Sequence, residues 1–388
     1  MSDSSQPRSF PARHALKLRG MSPARRMTEL YRLDLASPDV YGILNHTPEK
    51  LAMAFDAMIE NCIGAFPVPL GLATNFVVNG EPRLIAMATE ERSVIAAASK
   101  AAKLADGGIT VTVGKARTRA QILYARLADP PAALAKLRAW RSHIEDLLAA
   151  ECNPMAKHGG ALKVLEPRFV PGDRDTLIIV ELEIGTGDAM GANVVTRIAE
   201  RAADRLLRLF TDARPTAVIC CNDDAGFPVV AEATFRAPGA AALPQRVLDL
   251  QVWAAHDATR AVTHNKGVMN AVSAIALATG QDTRAIEACV HASAATACGY
   301  RPLTAYEAAG EGEVRGRLEL RLPIGTVGGA TGHPTAAFCR KLMGVKDAAD
   351  LAGLMAAAGL AQNFAALLAL AGEGIPGSHA RLARQRHP

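Results

Sequence analysis

The chain has 388 residues, of which 49% are hydrophobic and 21% are charged, and this length is typical of two or three domains with a sizeable core. Its formal net charge of +5 is not gathered with aromatic residues, which argues against a nucleic-acid partner and suits an anionic small ligand. Seven cysteines without a CxxC pair, and no obvious apolar run of about 18 residues, favour a cytoplasmic protein with reduced thiols and no membrane span.

The first part of the chain predicts helices followed by a hairpin. Residues 22–60 are typical of helices, with Ser22 as an N-cap before Pro23. The stretch "FVVNGEPRLIAMAT" predicts two strands joined by a tight turn at Asn79-Gly80. An alanine-rich amphipathic helix, "ERSVIAAASKAAKLA", follows the hairpin.

A compact α+β unit is predicted from about residue 109 to 222. "GITVTVGKARTRAQILYARL" indicates a pair of strands, and "PPAALAKLRAWRSHIEDLLAA" indicates one helix with a proline-rich start. A strand in "TLIIVELEIGTG", a helix and the strand "TAVICC" complete the unit. The remainder is mostly helical, with strands in "GEVRGRLELRLPIG", so the unit is inserted into a helical domain.

One candidate ligand site is the glycine-rich turn in "EIGTGDAMGANVVTRIAE". A strand runs into this turn and a helix follows, which is the setting in which backbone N–H groups hold a phosphate. The spacing of Gly185, Gly187 and Gly191 is one residue too long for the Rossmann fingerprint. A phosphate-binding turn and a plain tight turn both fit this spacing.

A second candidate is "RAVTHNKGVMN", which places Arg260, His264, Asn265, Lys266 and Asn270 within eleven residues of an otherwise apolar region. Buried polar groups need partners, so this density suggests a site in which a lysine binds a carboxylate or stabilises an oxyanion. A capped helix start with incidental polar residues is the alternative.

Acidic residues and a second glycine cluster are less specific. Glu60 follows an apolar helix and Glu91 ends a strand, so either is a candidate acid or a surface charge. Asp282 is most simply the N-cap of the next helix. The stretch "GTVGGATGHP" is either a close backbone approach to a ligand or a strained connection.

Together these stretches resemble class II, bacterial-type 3-hydroxy-3-methylglutaryl-CoA reductase. The matching motifs lie in the family's order from about residue 20 to 380: "ENCIG…PVPLG", "FVVNG", "MATEERSV", "DAMGAN", "THNKGVMN", "ATGQDTRAIEA", "GTVGGAT" and "GLAQN". The resemblance implies an α+β fold in which a large, mostly helical domain carries an inserted, ferredoxin-like nucleotide-binding domain. The implied boundaries are 1–112 and 223–374 for the large domain, 113–222 for the small domain and 375–388 for a flap remnant.

The resemblance also implies the activity and its residues. The family reduces the acyl-CoA thioester to mevalonate and CoA in a four-electron reaction with NADH or NADPH, at sites built on a homodimer interface; no metal is implied. The implied catalytic residues are Glu91, Lys266, Asp282 and His379. The implied substrate contacts are Glu60, Ser93, Asn222, Arg260, Asn270, Gln362 and Asn363. The implied cofactor contacts are Asn153, Asp188, Ala189, Met190, Gly191, Ala192 and Asn193.

Some positions depart from the family pattern. Asn153-Pro154 stands where some NADH-preferring members have Asp-Pro; loss of that acid makes NADPH use plausible. Only nine residues follow His379, the implied proton donor to CoA thiolate, so the family's C-terminal flap is largely missing from this sequence. Two alternatives follow: a paralogue that binds acyl-CoA or nucleotide with poor turnover, and, more remotely, an unrelated dinucleotide-binding dehydrogenase.

Overall fold

The computed structural model of the chain describes most of its length, in the ranges 20–32, 38, 48–149, 162–173, 176–207, 215–236, 242–372 and 374. The chain divides into two compact units, residues 1–68 and 69–388. The first unit contains the predicted helices, α1 (Pro23–Arg32) and α2 (Glu49–Met58). Its buried Arg26 pairs with Asp56 and donates to the Cys62 carbonyl oxygen at 2.9 Å, which ties these segments together.

The second unit contains the remaining elements. Its strands are β1 (Leu70–Val78), β2 (Glu81–Ala88), β3 (Ala105–Val113), β4 (Arg117–Tyr124), β5 (Leu162–Val164), β6 (Arg168–Phe169), β7 (Ile178–Gly185), β8 (Ala217–Cys220), β9 (Phe227–Arg236), β10 (Ala295–Thr296), β11 (Gly299–Tyr300), β12 (Thr304–Gly310) and β13 (Glu313–Leu322). Its helices are α3 (Val94–Leu104), α4 (Pro130–Ala139), α5 (Arg141–Ala149), α6 (Ala192–Leu207), α7 (Leu243–His256), α8 (Ala258–Thr279), α9 (Thr283–Ala294), α10 (Pro334–Leu342) and α11 (Ala348–Ala371), with a 3₁₀ turn at Gly329–Gly332.

A six-stranded sheet forms the base of the main core, in the order β12-β13-β9-β3-β1-β2. Strands β1 and β2 form the predicted hairpin, and Asn79 and Gly80 both have positive φ, as a type I′ turn requires. Helices α8 and α11 pack against each other, and α11 lies on β3 and β9. The alternation of buried and exposed residues along β13 shows that one face of this strand turns to the core.

Helix α11 is the central helix of this core, and it corrects one expectation. It is long and apolar enough to cross a membrane, contrary to the expectation that no such segment exists. However, 83% of its most apolar window is buried within the protein. Its many alanine and glycine residues allow close packing against the sheet and α8, so burial in this core accounts for its apolar sequence.

The smaller sheet has the order β5-β7-β4-β8, with β6 also paired to β7, and all its pairings are antiparallel. Helices α4, α5 and α6 cover it and enclose a second hydrophobic core. In chain order the segment runs β4, α4–α5, β5–β6, β7, α6, β8, which is the ferredoxin-like split βαβ arrangement. The predicted α+β class is therefore confirmed.

Two details of the predicted α+β unit are wrong. Strands β3 and β4 do not pair with each other: β3 lies between β9 and β1 in the large sheet, whereas β4 lies between β7 and β8 in the small one. Alternating apolar residues identify a strand but not the sheet it joins. The single helix predicted after Pro130 is two helices, because Trp140 leaves helical geometry at φ −97°, ψ 3°.

Gly226 lies where the two sheets meet, and we predict that replacing it by alanine is severely destabilising. Its N–H donates to the Arg117 carbonyl oxygen at 2.6 Å, its φ is +79°, and an added Cβ would lie 2.0 Å from the Leu322 carbonyl oxygen. Gly226→Ala should cost more than about 3 kcal/mol in urea unfolding, or prevent folding. Gly312→Ala, at φ +76° in open space, should cost only about 1–2 kcal/mol. Equal losses would contradict this account.

Candidate active site

One cavity of about 600 Å³ in the second unit brings together most of the predicted substrate and catalytic residues. It lies between α3, α8 and the C-terminal part of α11, and alanines from α3 and α11 line much of its wall. The predicted residues that line it are Glu91, Ser93, Arg260, Lys266, Asn270, Gln362 and Asn363. Such a mostly apolar cavity with a few convergent polar groups is typical of a small-molecule site.

Helix α8 supplies most of the polar groups. Asp257 caps it by accepting from the N–H groups of Thr259 and Arg260, so its first turn is fixed. Arg260, His264 and Gly267 follow at helical spacing along the face that lines the cavity, while Val268 and Val272 are buried in the core. The polar stretch therefore forms the first half of a long helix beside a cavity. This position agrees with the interpretation of the stretch as part of a ligand site.

Lys266 and Glu91 form an ion pair in this cavity, with Nζ 2.8 Å from Oε2. Their side chains are 58% and 39% exposed, so the pair contributes little to stability. The contact nevertheless joins α8 to the segment after β2 and places an ammonium beside a carboxylate. An ammonium can stabilise an oxyanion, and a neighbouring acid can transfer a proton.

Arg260 is a half-buried cation without an acidic partner among the described residues. Its guanidinium lies 5.5 Å from the centre of the Trp253 ring, and its Nε has no hydrogen bond. Burial lowers the pKa of Arg260, because desolvation disfavours the charged form. An anionic ligand would restore the missing partner, and a guanidinium suits a carboxylate. Lys100 adds a further positive charge to the cavity wall.

Asn363 has all its polar atoms engaged within the protein, although it was predicted as a substrate contact. Its Nδ2 donates to the His264 carbonyl oxygen at 2.8 Å, and its Oδ1 accepts from Tyr306 at 2.9 Å and from Thr304 at 3.3 Å. It therefore joins α11 to α8 and β12. Neighbouring Gln362 is also buried, but its Oε1 has no partner, so Gln362 is the better candidate ligand contact.

We predict that Asn363→Leu destabilises the fold. Leucine would remove all three hydrogen bonds that Asn363 makes in this buried region, to the His264 carbonyl and from the Tyr306 and Thr304 hydroxyls. Each buried unsatisfied group costs about 1–3 kcal/mol, so the free energy of unfolding should fall by roughly 2–5 kcal/mol. Urea unfolding measures this loss. The adjacent Gln362→Leu, which breaks no hydrogen bond to Oε1, is the control and should cost much less.

The glycine-rich turn before α6 has the features of a phosphate site. Gly191 has φ +92° and precedes the 16-residue helix, whose first N–H groups have no intrahelical partner. Thr186 in the same turn is buried, and its Oγ1 has no hydrogen-bond partner. A nucleotide phosphate fits these unused donors. The Asp188 carboxylate, in contrast, accepts from the Ala348 N–H at 3.0 Å and so holds the start of α11.

The second glycine cluster, in "GTVGGATGHP", contacts this same turn. The Thr326 N–H donates to the Asp188 carbonyl oxygen at 2.9 Å, and Ala189 forms a bridge with Val327. A Cβ at Gly325 would lie 2.5 Å from the Met190 nitrogen, so only glycine allows the approach. At Gly325, the backbone of this cluster therefore packs closely against the backbone of the first glycine-rich turn and not against a ligand.

Two predicted residues of the second unit, Asp282 and Asn222, do not line this cavity. Asp282 caps α9, as predicted, and pairs with Arg284, but it follows the far end of the unbroken helix α8. Asn222 is exposed after β8. Glu60 is exposed after α2 in the first unit, and its substrate contact stays a prediction. Asn153 and His379 lie outside the described residues.

A family model described as "Hydroxymethylglutaryl-coenzyme A reductase" matches residues 25–384. This chain belongs to that family. It is 42% identical over 333 residues to the 3-hydroxy-3-methylglutaryl-coenzyme A reductase of Archaeoglobus fulgidus, covering 84% of this chain and 76% of the relative. It is 34% identical over 348 residues to the probable enzyme of Borreliella burgdorferi, with the same coverage.

A solved structure of the class II enzyme from Streptococcus pneumoniae, bound to NADPH in open conformations, has 30% sequence identity and a TM-score of 0.75. The match covers 92% of this chain and 89% of that one. A second structure of the S. pneumoniae reductase has 29% identity and a TM-score of 0.77, covering 96% and 91% of the two chains. The predicted resemblance to class II hydroxymethylglutaryl-CoA reductases is thus confirmed.

Two residues that line this reductase-family cavity, Lys100 and His264, and one residue beside it, Trp253, had no assigned role in the sequence prediction. The Trp253 ring lies against the Arg260 guanidinium, but a lone tryptophan in an amphipathic helix does not indicate in the sequence that it contacts a site residue. Lys100 lines the wall, and its alanine-rich surroundings resemble an ordinary surface helix. His264 belongs to the polar stretch "RAVTHNKGVMN", but the sequence does not show that its side chain is buried beside the cavity.

Proposed function

We propose that this chain is a hydroxymethylglutaryl-CoA reductase that converts the acyl-CoA thioester to mevalonate and free CoA with two equivalents of NADH or NADPH. The observation that carries the proposal is the Lys266–Glu91 pair beside the unpaired cation Arg260 in one cavity. This arrangement supports reduction of a substrate with both a carboxylate and a thioester. No observation on the described residues favours a binding-only paralogue.

Arg260 is proposed to bind the free carboxylate of the substrate, which orients the acyl chain along α8. The guanidinium is held over Trp253 and faces no protein acid among the described residues, so it is available for two parallel hydrogen bonds. Asn270, about three turns along the same helix, and Ser93, at the start of α3, also line the cavity. They are proposed to contact the rest of the acyl group.

Lys266 is proposed to stabilise negative charge on the thioester oxygen and Glu91 to supply the proton that this oxygen takes up. Their 2.8 Å contact keeps both groups at one point of the cavity. Reduced nicotinamide, when bound, supplies one hydride in each of two rounds. The first round, with loss of CoA thiolate, leaves the aldehyde, and the second leaves the alcohol. His379 is proposed to protonate the departing thiolate, a transfer that suits an imidazole near neutral pH.

The nucleotide is proposed to bind at the turn formed by Asp188, Ala189, Met190, Gly191, Ala192 and Asn193, and Asn153 is proposed as a further cofactor contact. The unpaired Thr186 hydroxyl and the free N–H groups at the start of α6 support a phosphate there. The NADPH-bound S. pneumoniae relative supports a nicotinamide dinucleotide. We propose that NADPH is accepted, because Asn153 lacks the charge that would repel a 2′-phosphate.

A homodimer is proposed to complete the site. Lys266 and the end of α8 at Thr279 are 13 residues apart, which is about 20 Å along an unbroken helix. A lysine side chain cannot span that distance, so Asp282 cannot join the Lys266–Glu91 pair within one chain. Asp282 of the partner subunit is proposed to join the Lys266–Glu91 pair. Asn222 of the partner subunit is proposed to contact the substrate. The dimer is proposed to act in the cytoplasm.

The direct test is oxidation of NADH or NADPH by the purified protein in the presence of 3-hydroxy-3-methylglutaryl-CoA. Oxidation should require the acyl-CoA and should release free thiol. Mevalonate plus CoA and the oxidised cofactor should give the reverse reaction. No oxidation and no thiol release with either cofactor would reject the proposal.

A further inference from the structure

His264 is a buried histidine in the cavity wall that the proposed mechanism does not use. Its side chain is almost entirely enclosed, at 2% exposure, yet the residue lines the same cavity as Lys266 and Arg260. Its Nε2 lies 2.5 Å from the Thr304 hydroxyl, and Thr304 does not line this cavity. The other ring nitrogen, Nδ1, is buried and has no hydrogen-bond partner.

The surrounding hydrogen bonds determine which ring nitrogen carries the proton. Asn363 donates through Nδ2 to the His264 carbonyl oxygen, so its Oδ1 faces Thr304 and can only accept. The single Thr304 hydroxyl hydrogen is directed to that oxygen. With its hydrogen on this oxygen, which also accepts from Tyr306, Thr304 is assigned as the acceptor of the Nε2–H of His264, and this assignment leaves a lone pair on Nδ1.

The ring also stays neutral under ordinary conditions. Burial, and then the nearby charge of Arg260, lower the pKa of His264 to about 3. A neutral imidazole with its proton on Nε2 presents an acceptor at Nδ1 at any pH at which the protein would be assayed. Leaving a buried acceptor without a partner is unfavourable, so this position favours a ligand that donates a hydrogen bond.

The acyl group of the proposed substrate has one such donor. Its carboxylate and its thioester carbonyl only accept hydrogen bonds, and Arg260 and Lys266 supply donors for them. The 3-hydroxyl is the single group on the acyl chain that can donate. We propose that His264 Nδ1 accepts the hydrogen bond of this 3-hydroxyl and thereby selects 3-hydroxyacyl thioesters over their deoxy analogues. This inference rests on the proposed function.

Gln362 offers the competing acceptor, because its Oε1 is also buried and without a partner in the same cavity. Two replacements at His264 separate a ligand contact from a structural one. His264→Asn keeps a polar atom near the position of Nδ1 and loses the contact of Nε2 with Thr304. His264→Gln reaches the position of Nε2 and keeps the contact with Thr304, but it has no atom at Nδ1.

The experiment measures dissociation constants by calorimetry for 3-hydroxy-3-methylglutaryl-CoA and for 3-methylglutaryl-CoA, which lacks the hydroxyl. The wild-type protein should bind the hydroxyacyl thioester about 10–100-fold more tightly, the range expected when a buried acceptor loses its partner. His264→Gln should reduce this preference to less than about 3-fold. His264→Asn should retain most of it, although its thermal stability should be lower. Calorimetry reports the preference without requiring turnover.

Three results would overturn the inference. Wild-type protein that binds the two thioesters equally, or neither of them, would contradict it, as would a preference that His264→Gln leaves intact. A preference lost in Gln362→Met and kept in His264→Gln would assign the hydroxyl to Gln362 instead. Cofactor oxidation, measured separately, tests the proposed function. Tight and selective binding without cofactor oxidation would reject the reductase activity but would leave the proposed His264 contact intact.

Discussion

Replacing Lys266 by glutamine is expected to lower kcat for acyl-CoA reduction by about 10²–10³-fold. Lys266 is the proposed donor to the developing oxyanion, and removal of one such donor typically costs 10²–10³ in rate. Glutamine also removes the positive charge beside Glu91, with which Nζ makes its 2.8 Å contact. The pair is half exposed, so the variant should fold normally.

Lys100→Gln is the matched control, because Lys100 also carries a positive charge in the wall of the cavity but forms no ion pair or hydrogen bond with Glu91. Its kcat should stay within about 3-fold of the wild-type value, with any loss appearing in KM. Steady-state kinetics with both cofactors, and thermal unfolding of each variant, make the comparison. Lys266→Gln with more than a tenth of the wild-type kcat would contradict the proposed role.

The second large effect is recovery of activity when two inactive variants are combined. Lys266→Gln and Asp282→Asn should each be strongly impaired as homodimers. Asparagine is as good an N-cap as aspartate, so Asp282→Asn should preserve α9. If Asp282 acts across the dimer, a mixed dimer contains one intact site and one doubly substituted site. Random mixing should then restore about a quarter of wild-type activity, because half of the dimers are mixed.

The control for this recovery is a mixture of Lys266→Gln with Glu91→Gln. These two residues make contact within one chain, so each site of the mixed dimer carries one substitution and activity should not return. Co-expression with two affinity tags allows the mixed dimers to be isolated and assayed. Recovery in the control, or none with Asp282→Asn, would contradict a shared site.

Local chemistry made several features predictable from the sequence. The Asn79-Gly80 turn specified the first hairpin, since both residues accept positive φ. Asp282 was recognisable as an N-cap because its side chain can bond the next free N–H groups. The ordered motifs identified the family, and with it the residues of the cavity.

Long-range pairing was harder to predict. The strands β3 and β4 are adjacent in sequence yet join different sheets, because pairing depends on partners such as β9 that lie more than a hundred residues away. The role of Asn363 was also hidden, since its three hydrogen bonds reach α8 and β12 through the fold. Motif matching placed it at the substrate, and that contact stays a prediction; its hydrogen bonds show that it is also part of the framework.

The most direct test of the central claim is the stoichiometry of the reaction. Complete conversion of a limiting amount of 3-hydroxy-3-methylglutaryl-CoA should oxidise two equivalents of NADH or NADPH and release one equivalent of free thiol. Lys266→Gln should abolish both signals together. A ratio of one cofactor per thiol, or thiol release without cofactor oxidation, would contradict a four-electron reductase and would indicate partial reduction or simple thioester hydrolysis.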